Sequence, residues 1–262
     1  MTIFEAIISG FIQGVTEFLP VSSSGHLVLI HELFGLETES LSFDVALHLA
    51  TLIAVVWVLR KEVIDVVRVM FSKKIFSSLG LKVIVATIPS VLFGLLLSDG
   101  SEFLIRSTKI VAFSMIFWGI VLYASDLIAR KNKKSNLGLE KISWLQSVIV
   151  GIAQAIALIP GTSRSGITMT AGMFAGIDKI RVAKFSFLLS IPAILGATVM
   201  SFIDVIDKGL DMTITPLIIG CLVALVFGVL AIEFLLRFLQ KGSFLWFAIY
   251  RVILGVLILI IM

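Results

Sequence analysis

Six long, sparsely charged apolar stretches dominate the sequence and restrict the fold that it can adopt. They lie at about 42–59, 83–98, 110–129, 185–203, 214–236 and 244–262. Each is long enough to cross, or nearly cross, a bilayer core of roughly 30 Å as a helix. Because 59% of the residues are hydrophobic and only 15% are charged, the composition excludes a disordered chain and argues against a soluble globular domain.

Two further apolar segments, 3–35 and 144–177, are each interrupted midway by a run rich in serine and glycine. Pro20 precedes this run in the first segment, and Pro160 precedes it in the second. The halves of about 12–16 residues are too short to span a bilayer. We therefore predict two re-entrant helical hairpins, the first and the second hairpin, whose backbone must be buried in protein or face a wet cavity.

The distribution of basic residues predicts which loops face the cytoplasm. Most of the 21 Lys and Arg residues lie in four loops, at 60–82, 130–141, 179–184 and 237–241. The other two main loops, 99–109 and 204–213, carry few of them and several carboxylates. The positive-inside rule places the first set in the cytoplasm and the second set outside. The first hairpin then enters from outside, the second from the cytoplasm, and both termini lie outside.

The chain also contains an internal repeat. A shift of 141 residues superposes residues 8–25 on residues 149–166, with identical Gln, Ser and Gly residues at matched positions. Each copy holds a hairpin followed by three spans, and because three is odd the second copy must be inverted, as in many transporters. We predict an all-α integral membrane protein with a single domain, 1–262, and an inverted-topology repeat of 1–130 and 141–262. It has six transmembrane helices plus two re-entrant helical hairpins.

The break in the first hairpin carries ionisable side chains. Gln13 and Glu17 are four residues apart and share one face of the first half-helix. A carboxylate in an apolar hairpin is costly unless it has a partner or a function. Ser22 is placed to cap the second half-helix. Ser23 and His26 are three residues apart and project on one side of its first turn.

The break in the second hairpin adds a cation, because Arg164 follows the hydroxyl residues there and lies four residues before Thr168. Two helix N-termini, a guanidinium fork and several hydroxyls together form a set that suits phosphate oxygens. We therefore hypothesise a phosphate or pyrophosphate site. Ser23 could attack phosphorus while His26 or Glu17 moves protons. Glu17 could instead hold a divalent cation that bridges the phosphates.

The strings QGVTEFLPVSSSGH at 13–26 and PGTSRSG at 160–166 resemble the two signature motifs of the bacterial undecaprenyl-diphosphate phosphatase family, also called bacitracin-resistance proteins. The similarity covers the whole chain, including the late string FAIYR at 247–251. It implies an integral membrane phosphatase that converts undecaprenyl diphosphate to the monophosphate plus inorganic phosphate, which recycles the cell-wall lipid carrier and confers bacitracin resistance. It also implies inverted repeats with two re-entrant hairpins, and a divalent cation, Mg²⁺ or Ca²⁺.

Carried over position by position, the resemblance implies that Glu17, Ser23, His26 and Arg164 are catalytic and that Glu17 binds the cation. The polar positions around them, which we expect to bind the substrate, are Gln13, Ser22, Ser24, Ser163, Ser165, Gly166 and Thr168. The family's first motif begins with Glu or Gln, and here this residue is Gln13. Because that leaves Glu17 as the one carboxylate of the motif, we do not expect a two-carboxylate metal site.

The resemblance also implies a location and partners. We expect a multi-pass protein of the bacterial cytoplasmic (inner) membrane, with its site opening to the extracytoplasmic side. The expected substrate is a polyprenyl diphosphate lipid, with no nucleic acid partner, and a homodimer is one assembly to test. The competing function is an inverted-repeat membrane transporter or lipid flippase that uses Glu17 and Arg164 as substrate or proton sites.

Several roles stay open at this point. The group that attacks phosphorus is Ser23, His26 or a metal-activated water. Asp44 and His48, four residues apart on the first span, pair with each other or face the cavity. Arg251 lies within the last span and must find a partner, either an acidic residue or the diphosphate.

Overall fold

The computed structural model describes residues 1–34, 41–70, 78–97, 107–131, 138–208 and 214–261, and every regular element in these ranges is helical. In chain order the α-helices are α1 (Ile3–Phe18), α2 (Ser23–Phe34), α3 (Leu41–Val58), α4 (Arg60–Met70), α5 (Leu79–Leu97), α6 (Thr108–Lys131), α7 (Trp144–Ile156), α8 (Arg164–Phe174), α9 (Lys179–Lys208), α10 (Ile214–Phe238) and α11 (Leu245–Ile261). A short 3₁₀ helix, Leu139–Lys141, precedes α7.

The length and composition of the helices are those of an integral membrane protein, as predicted. Within the described ranges, α5, α6, α9 and α10 are long and apolar enough to cross a bilayer core. The bent pair formed by α3 and α4 is a fifth candidate, and α11 is apolar but 17 residues long. The six predicted apolar stretches coincide with α3, α5, α6, α9, α10 and α11.

Both hairpins begin and break in matching ways. Thr2 and Glu5 form a capping box at the start of α1, and Ser143 and Gln146 form one at the start of α7. A capping box satisfies two of the backbone N–H groups that a helix start leaves without partners. These capping residues are equivalent in the 141-residue repeat. The helices break between α1 and α2, and between α7 and α8, at the two predicted positions.

The prediction of a continuous loop over 60–82 is wrong, because α4 occupies its first half and lies at 85° to α3. Residues 60–70 alternate charged residues with Val and Ile at helical spacing, and this amphipathic pattern favours a helix along an apolar surface. The side chain of Val63 packs against the core, while Arg60 and Lys61 are exposed. Several of the basic residues assigned to this loop thus belong to a helix.

The prediction of a loop over 179–184 is also wrong, because these residues form the first turns of α9, whose start the Asp178 side chain caps by accepting from the Arg181 N–H. The predicted loop 237–241 begins with the last two residues of α10. The other predicted loops are described only in part. Helix α9 continues to Lys208, so the beginning of the predicted loop 204–213 is helical. Residues 71–77, 98–106, 132–137 and 209–213 lie outside the described part of the chain.

The helices pair in a pattern that the predicted repeat leaves unchanged. Helix α1 packs on α10, and its equivalent α7 packs on α5. Helix α3 packs on α10, and its equivalent α9 packs on α5. The pairs α6–α11 and α3–α9 each join one element to its own equivalent. Exchanging the two copies therefore converts each of these pairings into another of the set or leaves it unchanged.

Close backbone contact between helices explains two glycines of the repeat. A Cβ atom on Gly10 of α1 would lie 2.4 Å from the carbonyl oxygen of Gly220 on α10. A Cβ atom on Gly151 of α7 would lie 2.4 Å from the carbonyl oxygen of Ala86 on α5. Small residues let membrane helices approach closely, which strengthens their packing where no hydrophobic drive between helices exists.

We expect Gly10→Ala to destabilise the protein, because the new methyl group must push against backbone atoms, at a cost of about 1–3 kcal/mol. The matched control is Gly94→Ala, since a Cβ atom at Gly94 in α5 would meet nothing within 4 Å. Thermal unfolding in detergent should show a lower midpoint for Gly10→Ala and an equal or higher one for Gly94→Ala. Equal midpoints for both variants would contradict the close contact of α1 and α10.

Candidate active site

The two helix breaks share an unusual backbone conformation at one serine each. Ser22 has φ 74° and Ser163 has φ 69°, and these are the non-glycine residues with positive φ in the described part of the chain. They are equivalent in the repeat, and each immediately precedes the second helix of its hairpin. Such conformations cost about 1–3 kcal/mol each and gather at functional sites. The Ser163 hydroxyl accepts a hydrogen bond from the Gly166 N–H and so caps α8.

Arg251 of α11 links the two breaks to each other by hydrogen bonds, an arrangement that we call the Arg251 clamp. Its Nη1 donates to the Pro20 carbonyl of the first hairpin at 3.3 Å, and its Nη2 donates to the Gly161 and Thr162 carbonyls of the second at 2.9 Å each. Its Nε donates to the Met115 carbonyl of α6 at 3.3 Å. The side chain is 0% exposed. Its five N–H donors suit carbonyls that broken helices leave without intrahelical partners.

Among the described residues the partners of Arg251 are backbone carbonyls rather than an acidic side chain, and the guanidinium is completely buried. A contact with the diphosphate stays a prediction. The physical reason for the carbonyl contacts is that a helix break in an apolar surrounding needs donors for its carbonyls. Sequence position alone does not reveal this need, because the partners come from three distant segments.

A short ion pair joins the two hairpins beside this clamp. Arg164 Nη2 lies 2.5 Å from Glu17 Oε1, and Arg164 Nη1 donates to the Ser186 carbonyl of α9 at 3.1 Å. Gln13 Nε2 donates to the other carboxylate oxygen, Oε2, at 3.2 Å. The side chains of Glu17 and Arg164 are 11% and 17% exposed. The sequence predicted that both belong to one site, and the structure brings them into direct contact.

His48 of α3 also reaches the Glu17 carboxylate. Its Nε2 lies 3.8 Å from Glu17 Oε2, and its Nδ1 donates to the Asp44 carbonyl at 2.8 Å. His48 therefore pairs with the backbone of Asp44 and faces Glu17, which combines the two alternatives left open by the sequence. The spacing of Asp44 and His48 was the only signal, and it could not show that α3 packs beside α1.

His26 is held from both sides of its ring. Its Nδ1 donates to the Ser22 carbonyl at 2.7 Å, and its Nε2 lies 2.6 Å from the Tyr250 hydroxyl of α11. Ser23 projects from the first turn of α2, and its hydroxyl has no hydrogen-bond partner among the described residues. Ser23 and His26 therefore lie on one turn without bonding to each other. Sequence reasoning missed Tyr250.

The hydroxyls of the second hairpin bind protein atoms. Ser165 Oγ donates to the Leu19 carbonyl at 3.0 Å, which adds a second link between the hairpins. Thr168 Oγ1 lies 2.7 Å from Ser186 Oγ. Ser163 Oγ lies 3.2 Å from Ser165 Oγ. These hydroxyl contacts hold the start of α8, which carries Arg164, in place. The side chain of Ser24, another predicted site residue, lies outside the described part of the structure.

The described residues contain no group of three or more His, Cys, Asp or Glu side chains that converge as a metal cage. Glu17, with His48 beside it, is the acidic group of this site. One carboxylate is nevertheless compatible with Mg²⁺, which often binds one or two carboxylates together with substrate phosphates. The site thus offers a guanidinium, a carboxylate, two imidazoles, a hydroxyl and two helix N-termini, a set that can bind phosphate oxygens and move protons.

Comparison with known proteins agrees with this chemistry. The family model described as "Bacitracin resistance protein BacA" matches residues 6–257. The chain is 39% identical to the undecaprenyl-diphosphatase of Carboxydothermus hydrogenoformans, over 100% of this chain and 98% of the relative. It is 40% identical to undecaprenyl-diphosphatase 2 of Stutzerimonas stutzeri, with the same coverage. It is 41% identical to the undecaprenyl-diphosphatase of Moorella thermoacetica, over 98% of this chain and 97% of the relative.

We expect Arg251→Met to destabilise the protein strongly, because each buried carbonyl left without a donor costs about 1–3 kcal/mol. The matched control is Arg237→Met, which removes an arginine of α10 whose ion pair with Glu233 is exposed and contributes about 0–1 kcal/mol. Thermal unfolding in detergent should separate the two variants. Equal unfolding midpoints would contradict the clamp.

Proposed function

The chain belongs to the family of the bacitracin resistance protein BacA, and from this premise we propose that it hydrolyses undecaprenyl diphosphate to undecaprenyl phosphate and inorganic phosphate. It is a membrane hydrolase, an undecaprenyl-diphosphatase, that recycles the cell-wall lipid carrier and confers bacitracin resistance. The observation that carries the proposal is the contact between Glu17 and Arg164, which places a carboxylate and a guanidinium from the two hairpins in one site.

We propose that Arg164 and the N-terminal ends of α2 and α8 bind the diphosphate. A guanidinium fork matches two phosphate oxygens, and free N–H groups at a helix start attract anions. In the structure one arm of Arg164 is bound to Glu17 and the other to the Ser186 carbonyl. Phosphate oxygens would replace Glu17 at the first arm while Ser186 keeps the second in place. The released carboxylate is then available as a base.

For the chemical step we propose Ser23 as the nucleophile. Its oxygen would form a bond to the terminal phosphorus as the P–O bond to undecaprenyl phosphate breaks, and water would then release inorganic phosphate from the phosphoserine. The Ser23 proton would pass to Glu17 or His26. The hydroxyl of Ser23, which has no hydrogen-bond partner in the described part of the chain, supports this assignment. Both ring nitrogens of His26 are engaged, so attack by His26 would first require it to leave Tyr250.

The divalent cation, Mg²⁺ or Ca²⁺, stays a proposal that Glu17 supports. Glu17 Oε2 is the carboxylate oxygen that does not contact Arg164, and it would hold the ion together with phosphate oxygens of the substrate. The ion would neutralise phosphate charge as the anhydride bond breaks. Glu17 binds one partner at a time in this scheme, because Arg164 and a cation repel each other.

The finer architecture is also part of the proposal. The exchange symmetry of the helix pairs, the equivalent capping boxes and the equivalent Ser22 and Ser163 conformations support an inverted repeat with six spans and two re-entrant hairpins. The protein would lie in the cytoplasmic membrane with the site opening to the extracytoplasmic side. The positive-inside rule supports this orientation. A homodimer stays a prediction.

We expect Arg164→Met and Glu17→Gln to lower kcat/KM for phosphate release from undecaprenyl diphosphate by about a hundredfold or more, the usual cost of removing a group that stabilises transition-state charge. The matched controls are Lys184→Met and Glu62→Gln. These residues form an ion pair of the same length, 2.5 Å, between α9 and α4. The control variants should retain activity within about twofold, since this partly exposed pair contributes little to stability.

The same assay tests the cation and the competing function. EDTA should abolish phosphate release by the wild type, and Mg²⁺ or Ca²⁺ should restore it. Full activity in EDTA would overturn the cation proposal. No release by folded wild-type protein with any cation would favour the transporter, which a lipid or anion flux measurement in liposomes would then establish.

We expect the α3–α4 side of the protein to face the cytoplasm. The test places single cysteines at Lys61 and Ser107, which are both exposed, in a Cys221→Ser background. In intact cells an impermeant maleimide should label position 107, and it should label position 61 only after permeabilisation. The reverse pattern would contradict the assigned orientation, since the rule fixes the side from basic residues alone.

A further inference from the structure

Tyr250 is a polar contact of the site that the proposed reaction does not use. Its hydroxyl lies 2.6 Å from His26 Nε2. The two rings are stacked at a centroid distance of 5.5 Å with 16° between their planes. Tyr250 is 43% exposed, so its position is not a consequence of burial.

The hydrogen bonds of His26 fix which ring nitrogen carries the proton. The Ser22 carbonyl only accepts, so Nδ1 of His26 is protonated. In the neutral ring Nε2 is then an acceptor, and the Tyr250 hydroxyl is the donor that faces it. The two contacts come from opposite sides of the ring, which sets both its tautomer and its orientation.

The position of Tyr250 is itself fixed by its neighbour Arg251. Arg251 is bound to Pro20 in the first break and to Gly161 and Thr162 in the second. The helix that presents the Tyr250 hydroxyl is therefore tied to the hairpin that presents His26. Arg251 thus contacts the first break through the Pro20 carbonyl, and its neighbour Tyr250 contacts the helix after that break through the imidazole of His26.

We propose that Tyr250 is a positioning residue for His26: its hydroxyl fixes the orientation of the imidazole and keeps the Nε2 lone pair bonded until the substrate arrives. This inference rests on the proposed function, because it gives His26 a part in phosphate hydrolysis. A purely structural Tyr250 would act only by packing its ring on the imidazole. The variant Tyr250→Phe distinguishes the positioning role from the packing role, because it retains the ring and removes the hydroxyl donor.

The experiment compares Tyr250→Phe with Tyr123→Phe, which removes the hydroxyl of the other tyrosine in the chain, on α6. The first readout is the ¹⁵N spectrum of histidine-labelled protein in detergent, where a His26→Gln spectrum identifies the His26 signals among three histidines. Wild type and Tyr123→Phe should show one tautomer, with the proton on Nδ1. Tyr250→Phe should retain the proton on Nδ1, which the Ser22 carbonyl holds, and should shift the Nε2 signal of His26, which loses its hydrogen-bond donor, with His48 unchanged.

The second readout is the kinetics of phosphate release from undecaprenyl diphosphate. Tyr250→Phe should lower kcat by about tenfold with KM unchanged, because groups that orient a functional histidine act on the reaction rather than on substrate binding. Tyr123→Phe should match the wild type. An unchanged Nε2 signal of His26 or an unchanged kcat in Tyr250→Phe overturns the inference. Absence of phosphate release by the wild type overturns the proposed function instead, and the spectrum then decides on Tyr250 alone.

Discussion

Everything in this structure depends on how two broken helices satisfy their backbone within an apolar surrounding. A helix that stops midway leaves carbonyls without partners, and each costs free energy if no donor reaches it. Arg251 supplies donors to carbonyls of both breaks at once. A buried guanidinium and buried carbonyls would each cost free energy if they had no partners. Their hydrogen bonds to each other reduce both costs. The clamp also fixes the distance between the two breaks, on which the ion pair of Glu17 and Arg164 depends.

The scaffold is nearly symmetric, whereas the chemistry that it carries is not. Ser22 and Ser163 have the same left-handed backbone, and the helices around them pair in an equivalent way. The next position differs, since a hydroxyl at Ser23 corresponds to a guanidinium at Arg164. The two copies thus each supply a helix N-terminus beside a break, and their divergence places a hydroxyl on one and a guanidinium on the other.

The sequence predicts the two helix breaks and the presence of Glu17 and Arg164 in one site, because these follow from apolar length, local breakers and the cost of charge in a membrane. It does not predict α4, since its charged residues indicate a loop when the Val and Ile spacing is overlooked. The roles of His48, Tyr250 and Arg251 were out of reach for another reason. Their partners lie on other helices, and only the packing of α3 beside α1, and of α11 beside both breaks, brings the groups together.

The ion pair at the centre of the site is best understood as a substitute for the substrate. A free guanidinium and a free carboxylate in a partly buried pocket would each carry a desolvation cost, which their contact reduces. A diphosphate offers Arg164 more negative charge than Glu17 does, so it can displace the carboxylate. Since Ser186 and Ser165 belong to links that do not involve Glu17, the guanidinium and its hairpin need not move when this exchange occurs. Binding of the substrate would thus free the one carboxylate of the motif at the moment when a base or a cation ligand is needed. A solvent-exposed site could use water to stabilise the unbound groups, but this partly buried site provides that stabilisation from its own side chains.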